Sequence, residues 1–210
     1  MNLQIRFSVE MEVERIKNTL AKMSWYQAHG YRPYIPEEIN EINTEDEIRD
    51  VVAKQYDPAV YESIAQVIKW KFTTFGERFI GVSKQFFPKN IPETIDIRLT
   101  QYGVSGSYNL PNIIVFKVDG NDRVKTIFHE LIHLFIEPLI QEFHIEQWEK
   151  ERIVDLTLHS EPFAFLEYTT WQRDYHDVQI YIDPLFQEQF FKDTRSFFRS
   201  VIESQNKNKM

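Results

Sequence analysis

Residues 124–137 read VKTIFHELIHLFIE and contain an H-E-x-x-H motif from His129 to His133. Two histidines four positions apart on a helix lie one turn above each other, so both imidazole rings can reach one ion. Glu130, beside the first histidine, can take a proton from a water bound to that ion. The stretch therefore predicts a metal site on a helix.

The apolar residues of this stretch recur with helical spacing and form a core face away from the motif: Val124, Ile127, Phe128, Leu131, Leu134 and Phe135. One side of the predicted helix is therefore anchored, and another side carries the histidines. Asn121 or Asp122 is a plausible N-cap, and Pro138 is expected to end or restart the helix.

The segment before the motif helix has the pattern of β-strands. Ile95, Ile97 and Leu99 alternate with polar residues, and residues 113–118 are rich in β-formers. Residues 1–90 instead show helical spacing, with a capping-box sequence at Thr44 and a helix start at Pro58. The chain is therefore predicted to be an α+β protein with a small mixed or antiparallel sheet, a helical N-terminal region over 1–90, a second domain over 91–210 and a C-terminal helix.

Composition narrows the range of partners and chemistry. The net charge is −8 and no basic patch stands out, which argues against nucleic acid and anionic membranes as partners. The chain has no cysteine, which excludes disulfides, thiolate metal ligands and a cysteine nucleophile. Apolar runs are too short to span a bilayer, and no secretion signal is visible at the N-terminus, so a cytoplasmic location is expected.

A catalytic zinc site usually takes three protein ligands, so a third ligand is needed beyond the two histidines. An extended motif with a third histidine would require Gly at 136 and His at 139, and this chain has Ile136 and Leu139. Glu151 and Asp155 are the better candidates, because they lie one turn apart on a second predicted helix. His144 is an alternative ligand. Two neighbouring acids, Glu146 and Glu149, do not form such a pair, because neither is followed by an acid four residues later.

With this second helix the sequence resembles the gluzincin group of zinc metallopeptidases, the thermolysin-like branch of the zincins, over about residues 95–160. In that group the H-E-x-x-H helix is followed by a helix bearing E-x-x-x-D. The resemblance implies that His129, His133 and Glu151 bind Zn²⁺ and that Glu130 is the general base. It also implies that Asp155 accepts the second imidazole N–H of a ligand histidine.

The resemblance further implies a zincin-like fold, hydrolysis of a peptide or protein substrate, and an edge strand along which that peptide lies. Residues 103–108 and 113–118 are both candidates for this strand. A donor to the transition-state oxyanion is also expected. His159, one turn beyond Asp155, is the leading candidate, and Tyr168, Tyr175 and His176 are weaker ones.

Two other hypotheses remain open on the sequence alone. The chain can be a non-catalytic member of the same fold that uses its metal structurally or to bind a partner. It can also be a helical interaction protein with a coincidental motif. The aromatic segment 24–40 is interpreted as a loop packed on the body, a wall of the substrate site or an autoinhibitory lid, and the oligomeric state is not predicted.

Overall fold

The computed structural model describes residues 1–87, 89–118, 125–169, 171 and 176–208. Within them the chain is a mixed α+β protein, as predicted. The strands are β1 (Asn2–Arg6), β2 (Thr94–Thr100), β3 (Gly106–Asn109) and β4 (Ile113–Lys117). The helices are α1 (Val9–Ala21), α2 (Met23–Ala28), α3 (Glu45–Gln55), α4 (Pro58–Phe86), α5 (Lys125–Phe143), α6 (Gln147–His159), α7 (His176–Leu185) and α8 (Thr194–Asn208). None of the described helices is long and apolar enough to cross a bilayer.

The four strands form one sheet in the order β1-β2-β4-β3. β1, β2 and β4 run parallel, whereas β3 pairs with β4 in the antiparallel sense. The strands predicted over 95–118 are therefore confirmed, and the sheet is mixed. The sequence did not predict β1, which pairs Leu3 with Ile95 across a separation of about ninety residues.

The chain divides into two compact units, and each is described by itself. The first consists of Met1–Thr73 and Pro92–Glu130, and the second of Thr74–Ile91 and Leu131–Met210. The sheet and helices α1 to α3 belong to the first unit, and α6 to α8 belong to the second. Helices α4 and α5 are each continuous and contribute residues to both units.

In the first unit, α1 packs on α3 through buried aliphatic residues. Val13 and Ile16 of α1 belong to the same buried cluster as Ile48 and Val52 of α3. The predicted capping box at the start of α3 is confirmed: the Glu47 amide donates to Thr44 Oγ1 at 3.3 Å, and the Thr44 amide donates to Glu47 Oε2 at 2.8 Å. This satisfies two amides that the first turn of the helix leaves without intrahelical partners.

A buried carboxylate joins α1 to the sheet and to α4. Glu12 accepts hydrogen bonds from the hydroxyls of Tyr61 and Thr100, and from the Gln101 amide at 2.8 Å. Burial raises the pKa of Glu12 from its usual range, and these donors act in the opposite direction. An acid placed so deeply needs such donors, so the network fixes α1 over the end of β2.

In the second unit, aromatic side chains form most of the core. Phe79 of α4 packs against Phe135 of α5 and Phe163 of a 3₁₀ turn that spans Glu161–Leu166. Near the C-terminus, Phe190 packs edge-on against Phe197 of α8. The predicted C-terminal helix is therefore confirmed as α8, and its phenylalanines hold it on the unit.

The prediction that Pro138 ends or restarts the motif helix is wrong, because α5 continues through it to Phe143. Proline cannot donate the hydrogen bond to the carbonyl four residues earlier, which weakens one turn. Phe135 and Ile136 before the proline and Ile140 after it are buried, and this packing stabilises the helix on both sides of Pro138. The predicted N-caps, Asn121 and Asp122, and the core residue Val124 lie outside the described residues.

We predict that Gly103→Ala destabilises the protein by about 2–3 kcal/mol, and that Gly30→Ala costs about 1 kcal/mol. Both glycines have positive φ, +81° and +74°. A Cβ at Gly103 would also lie 2.5 Å from Arg15 Nε, whereas nothing lies within 4 Å of one at Gly30. Urea unfolding measures the free energy of unfolding of both variants, and the difference between their losses gives the cost of the steric clash. Equal losses of unfolding free energy would show that Arg15 moves aside freely.

Candidate metal centre

All three polar residues of the H-E-x-x-H motif lie on helix α5, and all three are buried. His129 is 1% exposed, His133 is 2% exposed and Glu130 is 6% exposed. The histidines are four positions apart on one continuous helix, so their rings project from successive turns of the same side. Fully buried polar side chains of this kind are uncommon without partners that compensate for lost hydration.

Helix α6 supplies the acids, as predicted. Glu151 is 7% exposed, and Asp155, one turn later, is completely buried. The helix begins with a capping box in which Glu146 is the N-cap and Glu149 is the third helical residue. The E-x-x-x-D pattern therefore lies on a real helix, with both of its acids directed into the protein.

One ligand atom from each of His129, His133 and Glu151 lies within 4.8 Å of the others. His133 Nε2 and Glu151 Oε2 are 3.1 Å apart. Ligand atoms around a tetrahedral ion with bonds of about 2.1 Å are about 3.4 Å apart, so small side-chain rotations bring this group to that spacing. Two imidazoles and a carboxylate also match the donor set of known catalytic zinc sites. The residues present therefore fit a divalent ion.

Gln147 holds the carboxylate of Glu151 in place, a role that was not predicted from the sequence. Its Nε2 donates to Glu151 Oε1 at 2.6 Å, while Oε2 of the same carboxylate faces His133. Gln147 precedes Glu151 by one helical turn, which is the only signal in the sequence. A hydrogen bond of this kind orients a metal ligand before the ion arrives.

Glu149, the other buried acid of α6, binds the start of its own helix and Tyr181. Glu149 accepts from the Glu146 amide at 2.8 Å and from the Tyr181 hydroxyl at 2.5 Å. Burial raises the pKa of Tyr181, and the carboxylate of Glu149 acts in the same direction. Among the described residues, His144 does not belong to the metal-binding group and lies at a positive φ of 54° in the turn between α5 and α6.

His159 follows Asp155 by one turn, as predicted, and its ring is held on several sides. Its Nδ1 lies 2.8 Å from the Asp155 carbonyl oxygen, so Nδ1 carries a proton and donates. The ring stacks on Trp171 with centroids 3.7 Å apart and meets Tyr168 edge-on. In the neutral form Nε2 is therefore an acceptor, and only a protonated His159 can donate to an oxyanion. Tyr175 and the side chain of His176 lie outside the described residues.

β3 is one of the two edge strands of the sheet, and Glu130 lies against it. Of the two predicted edge segments, residues 113–118 contain β4, which lies between β2 and β3, so only 103–108 reaches the edge. A Cβ added to Gly106 would lie 2.4 Å from Glu130 Oε1 and 2.8 Å from Thr126 Cγ2. The absence of a side chain at Gly106 therefore makes room for the carboxylate of the motif.

The aromatic segment 24–40 packs on the first unit. Trp25 stacks on His29 and Tyr31, with ring centroids 4.3 Å and 5.7 Å away. Tyr34 exchanges backbone hydrogen bonds of 2.9 Å and 2.7 Å with Gly103, and its ring stacks on Tyr102. The segment is thus anchored to the loop that leads from β2 into the edge strand.

Comparison with protein-family models, curated proteins and solved structures finds no match to this chain. The resemblance to zinc peptidases therefore rests on the motif of α5 and on the two acids of α6.

We predict that Gln147→Ala weakens zinc binding about 10–100-fold, because Glu151 loses the donor that orients its carboxylate. Gln141→Ala is a matched control, since the Gln141 amide also donates to a glutamate one turn away, Glu137, at 3.0 Å, outside the metal group. Competition against a chromogenic chelator measures both affinities. Equal zinc affinity in the two variants would contradict the role of Gln147.

Proposed function

We propose that this protein is a zinc-dependent metallopeptidase of the gluzincin type, with a zincin-like fold. The observation that carries the proposal is the buried group of His129, His133 and Glu151, whose ligand atoms lie within 4.8 Å of one another. Its residues come from an H-E-x-x-H helix and a following helix with E-x-x-x-D. The mixed sheet with a short edge strand supports the same proposal.

Zinc is the ion that this donor set favours, since imidazole and carboxylate ligands in a group of three leave a fourth position for water. Zinc bound there would lower the pKa of that water and polarise a scissile carbonyl. Residues of the chain would bind the ion and orient its ligands. His129, His133 and Glu151 would hold the ion, and Gln147 would keep the Glu151 carboxylate in its orientation.

Glu130 would take the proton from the attacking water and pass it to the leaving amine. Its Oε1 lies against Gly106 of the edge strand, so it is close to the backbone on which a peptide would pair. The Lys117 amide donates to the Ser105 carbonyl at 3.0 Å, and this register turns the N–H and C=O of Gly106 away from β4. A peptide added to β3 would therefore pass next to the general base.

A second candidate function is a non-catalytic zincin-like protein that uses its metal to hold a fold or a partner. The Nδ1 bond of His159 favours it, because a neutral ring held in this way has no N–H on Nε2 for an oxyanion. In this alternative the metal stabilises the packing of α5 and α6, and removal of the ion lowers stability without loss of any activity.

We predict that Glu130→Gln abolishes peptide hydrolysis while zinc binding survives, because the amide cannot accept the water's proton. A rate loss of at least about 1,000-fold is expected for loss of the general base together with its charge. Glu142→Gln is the control, since it makes the same chemical change at an exposed position of the same helix. A peptide library analysed by mass spectrometry, with chelator and with zinc restored, gives the readout.

Metal-dependent cleavage at reproducible positions, absent only in Glu130→Gln, supports the peptidase. Full cleavage by the zinc-loaded Glu130→Gln variant would contradict the mechanism. Stoichiometric zinc without any cleavage by the wild-type chain would favour the non-catalytic alternative.

A further inference from the structure

The first unit contains a cleft of about 450 Å³ on the face of the sheet that carries Arg98, Val115 and Ser107. These residues are paired neighbours across β2, β4 and β3, so their side chains project on the same side. Gly106 precedes Ser107 and turns to the opposite face, where it meets Glu130. The two faces of the edge strand thus meet different surroundings.

Helix α1 and its C-cap residue, Lys22, form the other wall of this cleft, and basic side chains outnumber acidic ones in the lining as a whole. The whole lining contains three basic side chains, Arg15, Lys22 and Arg98, and one acid, Glu14. This is unusual on a chain whose net charge is −8. Polar groups that can donate hydrogen bonds complete the lining, among them Asn18, Ser107 and Asn109.

The three cations differ in how far nearby acids neutralise them. Arg98 Nε lies 3.2 Å from Asp96 Oδ2, and its Nη1 lies 3.9 Å from Glu14 Oε1. Lys22 is exposed at the end of α1 and forms no ion pair within the part of the chain that the structure describes. Lys22 is therefore the cation best able to meet an added negative charge.

Arg15 fixes the floor of the cleft next to the edge strand. Its Nη1 donates to Ser107 Oγ at 3.2 Å, and its Nε donates to the Tyr102 carbonyl at 3.4 Å. Its Nη2 is buried and has no hydrogen-bond partner among the described residues. The guanidinium thus brings positive charge to Ser107 of β3, and it also interacts electrostatically with the carboxylates of Glu130 and Glu12.

A peptide that pairs with β3 would place alternate side chains on the two faces of the sheet. One set would lie on the face of Gly106 and Glu130, and the other set would lie beside Ser107 and Asn109, next to the cleft. We infer that the cleft is a specificity subsite that takes an acidic side chain of a peptide bound along β3. This inference rests on the proposed function, because it uses the same edge strand.

The test is direct binding to zinc-loaded Glu130→Gln, which is expected to hold peptides without cutting them. The probes are fluorescein-labelled octapeptide pools that are identical except for one central position, fixed as Glu in one pool and as Gln in the other. We expect the Glu pool to bind about threefold to fivefold more tightly at low salt, and the difference to shrink as ionic strength rises.

Lys22→Glu, added to Glu130→Gln, should remove the preference and make the Gln pool the tighter ligand. Lys54→Glu is the control, because it changes net charge equally from an exposed position of α3 outside the cleft lining. Equal binding of the two pools, or a preference that Lys22→Glu leaves unchanged, would overturn the subsite.

Different results would contradict the proposed peptidase function and the proposed acidic subsite. Binding with the acidic preference but no hydrolysis by the wild-type chain would remove the peptidase and leave the acidic subsite. Hydrolysis by the wild-type chain without any preference for acid would remove the subsite alone. Absence of binding by every pool would overturn this inference outright.

Discussion

The buried position of His129, His133 and Glu151 is the constraint on which the rest of the structure depends. A carboxylate and two imidazoles lose their hydration when buried, and this loss is large unless charge or hydrogen bonds replace the water. The contact between His133 and Glu151 and the hydrogen bond from Gln147 meet part of that need. On our proposal a divalent ion meets the rest, and its binding energy then contributes to folding.

The continuity of two helices follows from this constraint. α5 must present two successive turns on one side, and packing of Phe135, Ile136 and Ile140 keeps it helical past Pro138. α6 must present Glu151 and Asp155 from one side, and its capping box fixes where that helix starts. The edge strand adds the remaining part of the proposed site, because Gly106 leaves space for the carboxylate of Glu130.

Local signals made much of this predictable from the sequence. The capping box at Thr44, the strand pattern of Ile95 and Ile97, and the two four-residue spacings of the metal group are each contained within a few residues. The proline rule failed at Pro138, because long-range burial on both sides of the residue outweighs one lost hydrogen bond. β1 was missed because its partner strand is remote in sequence and its residues are exposed or at most half-buried.

Contacts of side chains over long separations were not predictable at all. Arg15 reaches Ser107 across 92 positions, and Tyr181 reaches Glu149 across 32. No local sequence pattern around Arg15 or Tyr181 indicates such a partner. Gln147 was missed for another reason, since a glutamine near a helix start usually interacts with water and reveals its role only when Glu151 is known to be buried.

The most direct test of the metal centre is the zinc content of untagged protein purified without chelator, measured by elemental mass spectrometry. Glu151→Ala and Glu161→Ala are measured beside the wild-type chain, and Glu161 is an exposed glutamate just beyond α6. We expect about one zinc per chain in the wild type and in Glu161→Ala, and a sharp loss in Glu151→Ala. A wild-type chain that holds no zinc even after reconstitution would contradict the proposed metal centre.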